Sequence, residues 1–328
     1  MGACAMKKII LSIIGATGLV FASSVFTSET FAADMSPVYK AAPQKEQKLE
    51  GVDGFIDLYG GWQWWKWNPE DFPPGKGNPG GLGAAARVNW WINSPWAIQL
   101  DAQSEWWGKS KIFGDAGGGW NGTITAQMAA HIAWRDPNRY AFSLLLGQFA
   151  HDDAGGFGYI GWANYGLIGG EVQFYFGDLT LYGQGGVLVR ESCSIYCEGV
   201  LKDIWWVRGI GRYFFTAKDK LQAEFGYAEG TDTFHVPNTK GRITTWGAEY
   251  EHWIDGTPVS VWVGYRGWRF ENTNDVSYKT TANEVWVGAR LWFGTPSDLK
   301  AVDRRGATWD TPKFLQVLTW SSAVADVY

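Results

Sequence analysis

A set of charged side chains recurs at alternate positions of segments whose intervening positions are mostly apolar. Acidic and basic members are mixed, and one histidine is among them. Such side chains are tolerated at membrane depth only where they face a wet or mutually paired interior. The set comprises Asp57, Arg87, Asp101, Glu105, His131, Glu171, Arg190, Arg208, Arg212, Glu224, Glu249, Glu251, Arg266 and Arg290.

Two hypotheses account for this set. In the first, the charges line a constriction that selects solutes by size and electric field. In the second, they form a salt-bridged interior that only stabilises the protein. We expect Glu249 and Glu251 to oppose Arg266 and Arg290. The near-equal numbers of acids and bases leave the sign of any selectivity open.

Two cysteines are the next candidates for chemistry. Cys193 and Cys197 flank three residues of a predicted loop. In an exported protein, an oxidising compartment favours a disulfide between such close cysteines. A metal site is the weaker alternative, because Glu191, Glu198 and the histidines show no spacing that completes a tetrahedral ligand set. We therefore predict a disulfide, no metal and no other cofactor.

The elements that position these side chains are predicted to be β-strands. From residue 52 onward, apolar and polar residues alternate with a period of two, which places them on opposite faces of a sheet. In residues 96–106 the apolar face holds Trp96, Ile98, Leu100, Ala102 and Trp106. The polar face holds Gln99, Asp101, Gln103 and Glu105. Apolar outside and polar inside is the pattern of a transmembrane barrel.

About twelve strands are predicted, each near the roughly 9 to 11 residues of a tilted membrane strand. They lie near residues 52–62, 82–92, 95–107, 122–134, 139–149, 165–176, 179–190, 203–215, 220–229, 242–252, 259–270 and 283–293.

The connections between these strands alternate in length along the chain. The short ones are residues 93–94, 135–138, 177–178, 217–219 and 253–258. The long ones are residues 63–81, 108–120, 150–164, 191–202, 230–241 and 271–282. Outer-membrane barrels pair short periplasmic turns with longer extracellular loops. The alternation predicts an even number of strands and two periplasmic termini.

The N-terminal residues indicate export. Lys7 and Lys8 precede an apolar run, and small residues lead to a cleavage site after Ala32. We predict a signal peptide over 1–32, a periplasmic leader over 33–51, a barrel over 52–294, and a periplasmic tail or partial plug over 295–328.

Composition supports a barrel. Beyond the signal, no apolar run reaches the roughly 20 residues of a membrane helix. The 22 Trp, 14 Tyr and 43 Gly are typical of a membrane barrel. A net charge of −5 gives no reason to expect a nucleic-acid partner.

The end of the last predicted strand carries a family resemblance. Gly288, Leu291 and Phe293 resemble the C-terminal assembly signal of outer-membrane barrels. The span 52–293 is similar to the porin-like outer-membrane β-barrel proteins of Gram-negative bacteria. Members of that family usually end at the terminal aromatic residue, whereas this chain continues to Tyr328. The resemblance implies an all-β, antiparallel up-and-down barrel in the outer membrane.

The function expected from these observations is passive diffusion of small hydrophilic solutes. A barrel of about twelve strands is wider than the eight-stranded kind whose interior side chains fill, which favours a narrow pore. The alternative is a structural or surface-interaction barrel without an open pore. Expected partners are outer-membrane lipid, lipopolysaccharide, small solutes and the barrel-assembly machinery. The oligomeric state is left open.

Catalysis is a further alternative, since some outer-membrane barrels are lipid hydrolases with a serine and a histidine on strand faces. No histidine of the chain has a serine two residues away on the same face. The histidines are His131, His151, His235 and His252. We therefore expect no enzyme activity.

Overall fold

The computed structural model describes only part of the chain. The described residues are 50–68, 75–108, 110–111, 119–120, 123–154, 160–193, 201–232, 239–272, 279–294 and 297–312. The predicted signal peptide and nearly all of the leader lie outside this part, as does the end of the tail. The side chains of Arg190 and Cys193, and all of Cys197, also lie outside it, so the disulfide stays a prediction.

Twelve long antiparallel strands form the wall of the molecule. They are β1 (Gly51–Asn68), β2 (Gly80–Asn93), β3 (Trp96–Trp107), β4 (Thr123–Asp136), β5 (Tyr140–Ala154), β6 (Ile160–Phe176), β7 (Leu179–Cys193), β8 (Leu201–Phe214), β9 (Asp219–Asp232), β10 (Thr239–Trp253), β11 (Val259–Asn272) and β12 (Lys279–Phe293). Further short strands, Gly75–Gly77, Ser110–Lys111 and Gly119–Trp120, lie in two of the long connections.

The sheet closes on itself. Each long strand pairs with its neighbours in sequence, and β12 pairs with β1 from Phe293 opposite Gly54 to Lys279 opposite Asn68. Closure satisfies the backbone hydrogen bonds that an open sheet would leave at its edges. The predicted fold, an antiparallel up-and-down barrel of twelve strands, is confirmed.

Most of the predicted strands were too short, although β3 is one residue shorter than predicted. The observed strands run from the 12 residues of β3 to the 18 residues of β1. At the short turns the ends agree closely, since β7 begins at Leu179 and β11 at Val259 as expected. At the long loops β1 continues to Asn68 and β12 begins at Lys279. Pairing continues there without apolar alternation, because residues beyond the bilayer have no lipid to face.

The two faces of the wall differ as the alternation predicts. Large apolar side chains point outward, with Leu58 65% and Met128 68% exposed. Adjacent tryptophans divide between the faces: Trp90 is 54% exposed and Trp91 only 6%. An apolar outer face around a polar interior is the architecture of an outer-membrane β-barrel.

The three residues of the proposed assembly signal lie on β12, the strand that closes the barrel. Leu291 and Phe293 point outward, 50% and 38% exposed. Gly288 faces inward, where an added Cβ would lie 2.6 Å from the ring of Trp262. The closing position of this strand agrees with the resemblance, and its role in assembly stays a prediction.

After β12 the chain turns into the barrel. Gly294 has a φ of +91°, and an added Cβ would lie 2.4 Å from the carbonyl oxygen of Val52, so the turn requires glycine. A helix, α1 (Leu299–Arg305), follows. Asp298 caps it by accepting a hydrogen bond from the backbone N–H of Ala301 at 2.8 Å.

Residues 297–312, here called the lumen segment, lie against the inner wall at the short-turn end. Leu299 and Val302 pack in a cluster of buried residues that includes Phe55, Phe214, Trp253 and Trp292. Trp309 is fully buried and packs beside Tyr182 with ring centroids 5.7 Å apart. Within the described residues, no helix is both long enough and apolar enough to cross a bilayer.

Candidate functional site

The strand periodicity brings the predicted charged residues together in the lumen. In the described part of the chain, every side chain of the predicted set lies on the inner face and is at most 15% exposed. Arg190 is the one member whose side chain lies outside the described residues. The remaining members form several ion-paired groups.

The first group is centred on Arg290 of β12. Its guanidinium contacts the carboxylates of Asp57 at 2.9 Å, Glu249 at 3.0 Å and Glu251 at 2.6 Å. Lys220 of β9 also contacts Glu251, at 2.5 Å. Three carboxylates thus share two cations along one side of the wall. The contacts of Arg290 with Glu249 and Glu251 are those expected from the sequence.

A second group spans the lumen. Arg266 of β11 contacts Glu105 of β3 at 3.1 Å and Glu284 of the adjacent β12 at 2.8 Å. Tyr59 donates a hydrogen bond to Glu105 at 2.9 Å. The described partners of Arg266 are thus Glu105 and Glu284, whereas the sequence predicted Glu249 and Glu251 opposite it. Closure of the barrel brings β3 within reach of Arg266, which neighbour-to-neighbour reasoning along the chain does not include.

A third group places His131 between two carboxylates. Its Nδ1 lies 2.6 Å from Glu171 and its Nε2 lies 3.5 Å from Asp101. Tyr182 donates a hydrogen bond to Glu171 at 2.5 Å. The imidazole is fully buried. Such a setting suits a structural cation better than a base that must reach a substrate.

His131 and His252 are the histidines whose side chains lie within the described residues. His252 lies 2.8 Å from Asp219 near the short turns. In the described part of the chain, the hydrogen bonds of His131 and His252 go to carboxylates and not to a serine hydroxyl. The described residues also contain no group of His, Cys, Asp and Glu that could hold a metal ion.

The lumen segment is anchored through Arg212 of β8. This guanidinium donates to Asp303 at 2.8 Å, to Asp310 at 2.6 Å, and to both the hydroxyl and the carbonyl oxygen of Thr308. It also donates to Gln222 of the wall at 2.9 Å and lies over the ring of Tyr182. Arg212 is only 3% exposed. One wall arginine thus holds two carboxylates of the segment.

The segment's second carboxylate has further cations around it. Arg87 of β2 contacts Asp310 at 3.0 Å, while its Nε contacts Asp101 at 3.2 Å. Arg208, which is paired with Glu224, lies close enough to act on Asp310 electrostatically. Burial would raise the pKa of Asp310, yet Arg212, Arg87 and Arg208 hold it well below its usual value. Asp310 is therefore ionised at neutral pH.

The pKa of Asp303 is also lowered by nearby cations. Burial would raise its pKa, but Arg212, a hydrogen bond from Thr180 and the charge of Arg304 lower it. The hydroxyl of Thr180 lies 2.5 Å from Asp303. Asp303 and Asp310, the two segment carboxylates that contact Arg212, are thus charged groups compensated by nearby cations.

Backbone contacts complete the docking. Gln99 exchanges two hydrogen bonds with the backbone of Trp309, at 2.7 and 3.1 Å. Arg135 donates to the carbonyl of Gly306 at 2.9 Å, and Asp53 accepts from the N–H of Ala307 at 2.7 Å. Strands from several sides of the barrel therefore hold one short segment.

A cavity of about 120 Å³ with a mixed polar and apolar lining lies in the lumen. Charged groups of the wall and of the lumen segment line it, including Asp57, Arg208, Glu249, Arg266, Arg290 and Asp310. Aromatic side chains also border it, with Tyr59, Trp262 and Trp286 packed in one buried cluster that includes Trp107. The lumen thus contains a small space between aromatic packing and the lumen segment.

Sequence reasoning offered a periplasmic tail or partial plug over 295–328 but did not identify the residues that dock it. Asp303 and Asp310 were not among the predicted site residues. Trp309 close behind that charged run is the signal that could have indicated burial. Gln99 was placed on the polar face, but its contacts with the lumen segment were not predicted, and Gln184 was not among the predicted site residues.

Comparison with known proteins shows likeness at the level of the barrel. No protein-family model matches the chain, and no curated protein matches it. An outer membrane channel from Pseudomonas putida is similar with a TM-score of 0.49 and 10% identity, over 77% of this chain and 100% of that chain. The translocator domain of the autotransporter NalP from Neisseria meningitidis is similar with a TM-score of 0.44 and 11% identity, over 73% of this chain and 88% of that chain.

A third solved structure, the toluene transporter TodX of Pseudomonas putida, has a TM-score of 0.41 and 8% identity, over 75% of this chain and 90% of that chain. At these identities no residue role carries over from these proteins. The function has to be argued from the lumen itself.

Proposed function

We propose that the protein is an outer-membrane channel for small hydrophilic solutes, closed in this conformation by the lumen segment. The observation that carries the proposal is the nature of the obstruction at the short-turn end. It is made largely by a segment that continues from β12 at a single connection, around Gly294. A segment of this kind can leave the lumen without unpairing any barrel strand.

The size of the remaining space supports movement of the segment. A water molecule occupies about 30 Å³ of liquid, so a cavity of about 120 Å³ holds only a few waters. So small a cavity leaves little room for a sugar-sized or amino-acid-sized solute beside the lumen segment. Passage therefore requires the lumen segment to withdraw. The twelve strands then enclose a polar path wider than that of an eight-stranded barrel.

The two faces of the barrel wall indicate which molecules surround the protein. We propose that the apolar outer face contacts outer-membrane lipid and lipopolysaccharide, and that the short turns face the periplasm. Both termini are then periplasmic, and the β12 residues of the assembly signal meet the barrel-assembly machinery. The charged inner face supports hydrophilic solutes rather than apolar ones.

A barrel without an open pore is the second candidate. The saturation of the ion pairs favours it, because Arg266, Arg290 and Arg212 each contact two or more carboxylates. A lumen of this kind is stable when closed. This candidate predicts no conductance with or without the lumen segment.

Planar-bilayer recording separates the two candidates. A chain ending after Gly294 lacks the lumen segment, and we expect it to conduct steadily. A matched chain ending after Pro312 keeps every described contact of the segment and should behave like the full chain, closed for most of the time. A full-length variant with Asp303→Asn and Asp310→Asn gives a second way to release the segment.

Folding of each variant is checked by its heat-modifiable shift on a gel. If folded barrels that lack the segment, and folded double variants, both fail to conduct, the channel proposal is wrong and the closed barrel stands.

A further inference from the structure

We infer that Arg87, Arg208 and Arg212, here called the arginine cluster, form a binding site for carboxylate-bearing solutes, and that Asp310 occupies this site in the closed state. The inference deepens the proposed function and rests on it for the passage of the solute. It assigns a solute class to the lumen and makes the lumen segment an internal competitor for the same site.

The geometry around Asp310 is that of a bound carboxylate. Its Oδ2 lies 2.6 Å from Nη2 of Arg212, and its Oδ1 lies 3.0 Å from Nη2 of Arg87. The two oxygens are thus taken by two guanidinium groups on different strands, β8 and β2. Guanidinium groups recognise carboxylates through such charge-assisted pairs. Asp310 is itself 20% exposed and borders the lumen cavity, so the site is reached from that cavity.

Arg212 shows why the site needs an anion. Within the described residues its carboxylate partners are Asp303 and Asp310, and both belong to the lumen segment. Its contacts with the wall are the amide of Gln222 and the ring of Tyr182, which are neutral. Arginine keeps its charge at any relevant pH. When the segment leaves, the guanidinium remains in the lumen without a wall carboxylate.

The other two arginines differ in this respect. Arg87 keeps Asp101 and Arg208 keeps Glu224 after the segment leaves. They add positive potential around Arg212 while remaining compensated by the wall. A solute anion therefore gains most from Arg212, and the removal of an uncompensated buried charge favours its binding.

The number of carboxylates that Arg212 holds indicates which solute the site prefers. Arg212 holds two carboxylates at once, from Asp303 and Asp310, on separate guanidinium nitrogens. A small dicarboxylate offers both groups in one molecule. We therefore expect dicarboxylates to compete better than monocarboxylates of the same length.

Competition is measured on the folded full-length protein in detergent by hydrogen–deuterium exchange of residues 299–312. Succinate is the probe, with neutral succinamide and sodium chloride at equal ionic strength as controls. We expect succinate to raise exchange of the segment and neither control to do so. Asp310→Asn weakens the internal competitor, so the half-effective succinate concentration should fall about tenfold. Asp255→Asn, which removes an exposed carboxylate in a short turn, should leave that concentration unchanged.

Competition by succinate in Asp310→Asn alone would also support the site, since the native carboxylate then simply binds more tightly than the probe. The inference is overturned if succinate acts no more strongly than sodium chloride in both the native protein and Asp310→Asn. Conductance is scored separately. Folded barrels that bind succinate but never conduct would refute the channel proposal and leave the anion site in place.

Discussion

Replacement of Arg212 by methionine is expected to release the lumen segment from the inner wall. The strands of the barrel are expected to stay paired. Methionine keeps much of the side-chain length but removes every hydrogen bond of the guanidinium. The lost contacts are those with Asp303, Thr308, Asp310 and Gln222. The strand pairing of β8 with β7 and β9 uses backbone atoms and is unaffected.

The magnitude follows from the charges that remain. Removing one partner of a buried ion pair commonly costs about 3 to 5 kcal/mol, because the other charge stays buried without compensation. Asp310 retains its 3.0 Å contact with Arg87, so the lower end of that range applies to docking. At about 1.4 kcal/mol for each factor of ten, the docking equilibrium weakens by about a hundredfold.

Hydrogen–deuterium exchange of residues 299–312 measures this change directly, since the docked backbone of Trp309 is protected by Gln99. Arg242→Met is the matched control. Arg242 is 46% exposed and pairs with Glu229 near a long loop, where an ion pair contributes little. The control should leave exchange of the segment unchanged.

Unchanged exchange of the segment in a folded Arg212→Met barrel would refute the reasoning. Docking would then depend on apolar packing of Leu299 and Val302 rather than on charge. Loss of the folded barrel in Arg212→Met, with a normal Arg242→Met, would show that Arg212 stabilises the wall itself.

Three further predictions concern other parts of the chain. Cys193 and Cys197 should appear as one disulfide-linked species in mass spectra of unreduced peptides, whereas two alkylatable thiols would exclude the bridge. A tag placed in residues 108–120 should be accessible on intact cells, and labelling of the short turns instead would invert the topology. Because the docked pKa values of Asp303 and Asp310 are lowered, docking is fully stabilised above the usual value of 3.8 and weakens as pH falls through the lowered values. Exchange of the segment should therefore rise only in acid, and a rise near neutral pH would contradict the assigned ion pairs.

The wall could be predicted from sequence because its signals are local. Gly177 and Asp178 mark a two-residue turn between polar-and-apolar segments, and β6 and β7 end and begin at that turn as expected. Strand ends at the long loops could not be predicted in this way. Toward the long loops, pairing between β1 and β12 continues at Lys66 and Thr281, where polar residues interrupt the apolar outer face.

The site could be predicted only in part. Period-two alternation was enough to place Glu105 and Arg266 on the inner face. The contact between them depends on closure of the barrel, which brings together residues that are far apart in sequence. No local sequence pattern indicates such a contact. The lumen segment gives still less signal, since α1 has seven residues and Trp309 follows it without periodicity. Its docking depends on Arg212, whose carboxylate partners Asp303 and Asp310 lie about 90 to 100 residues later in the chain.

The short connection between Phe293 and Leu299 determines the effective concentration at which Asp310 competes with a solute for the arginine cluster. A ligand joined to its site by a short flexible linker acts as if present at millimolar concentration. Asp310 is covalently joined to the wall through the connection after Gly294, so a free carboxylate at micromolar concentration must bind about a thousandfold more tightly to displace it. A weakly bound solute opens the path only when it accumulates to millimolar levels on one side of the membrane. The attachment of the segment would then make the channel a threshold device, nearly silent at low solute concentration and responsive above it.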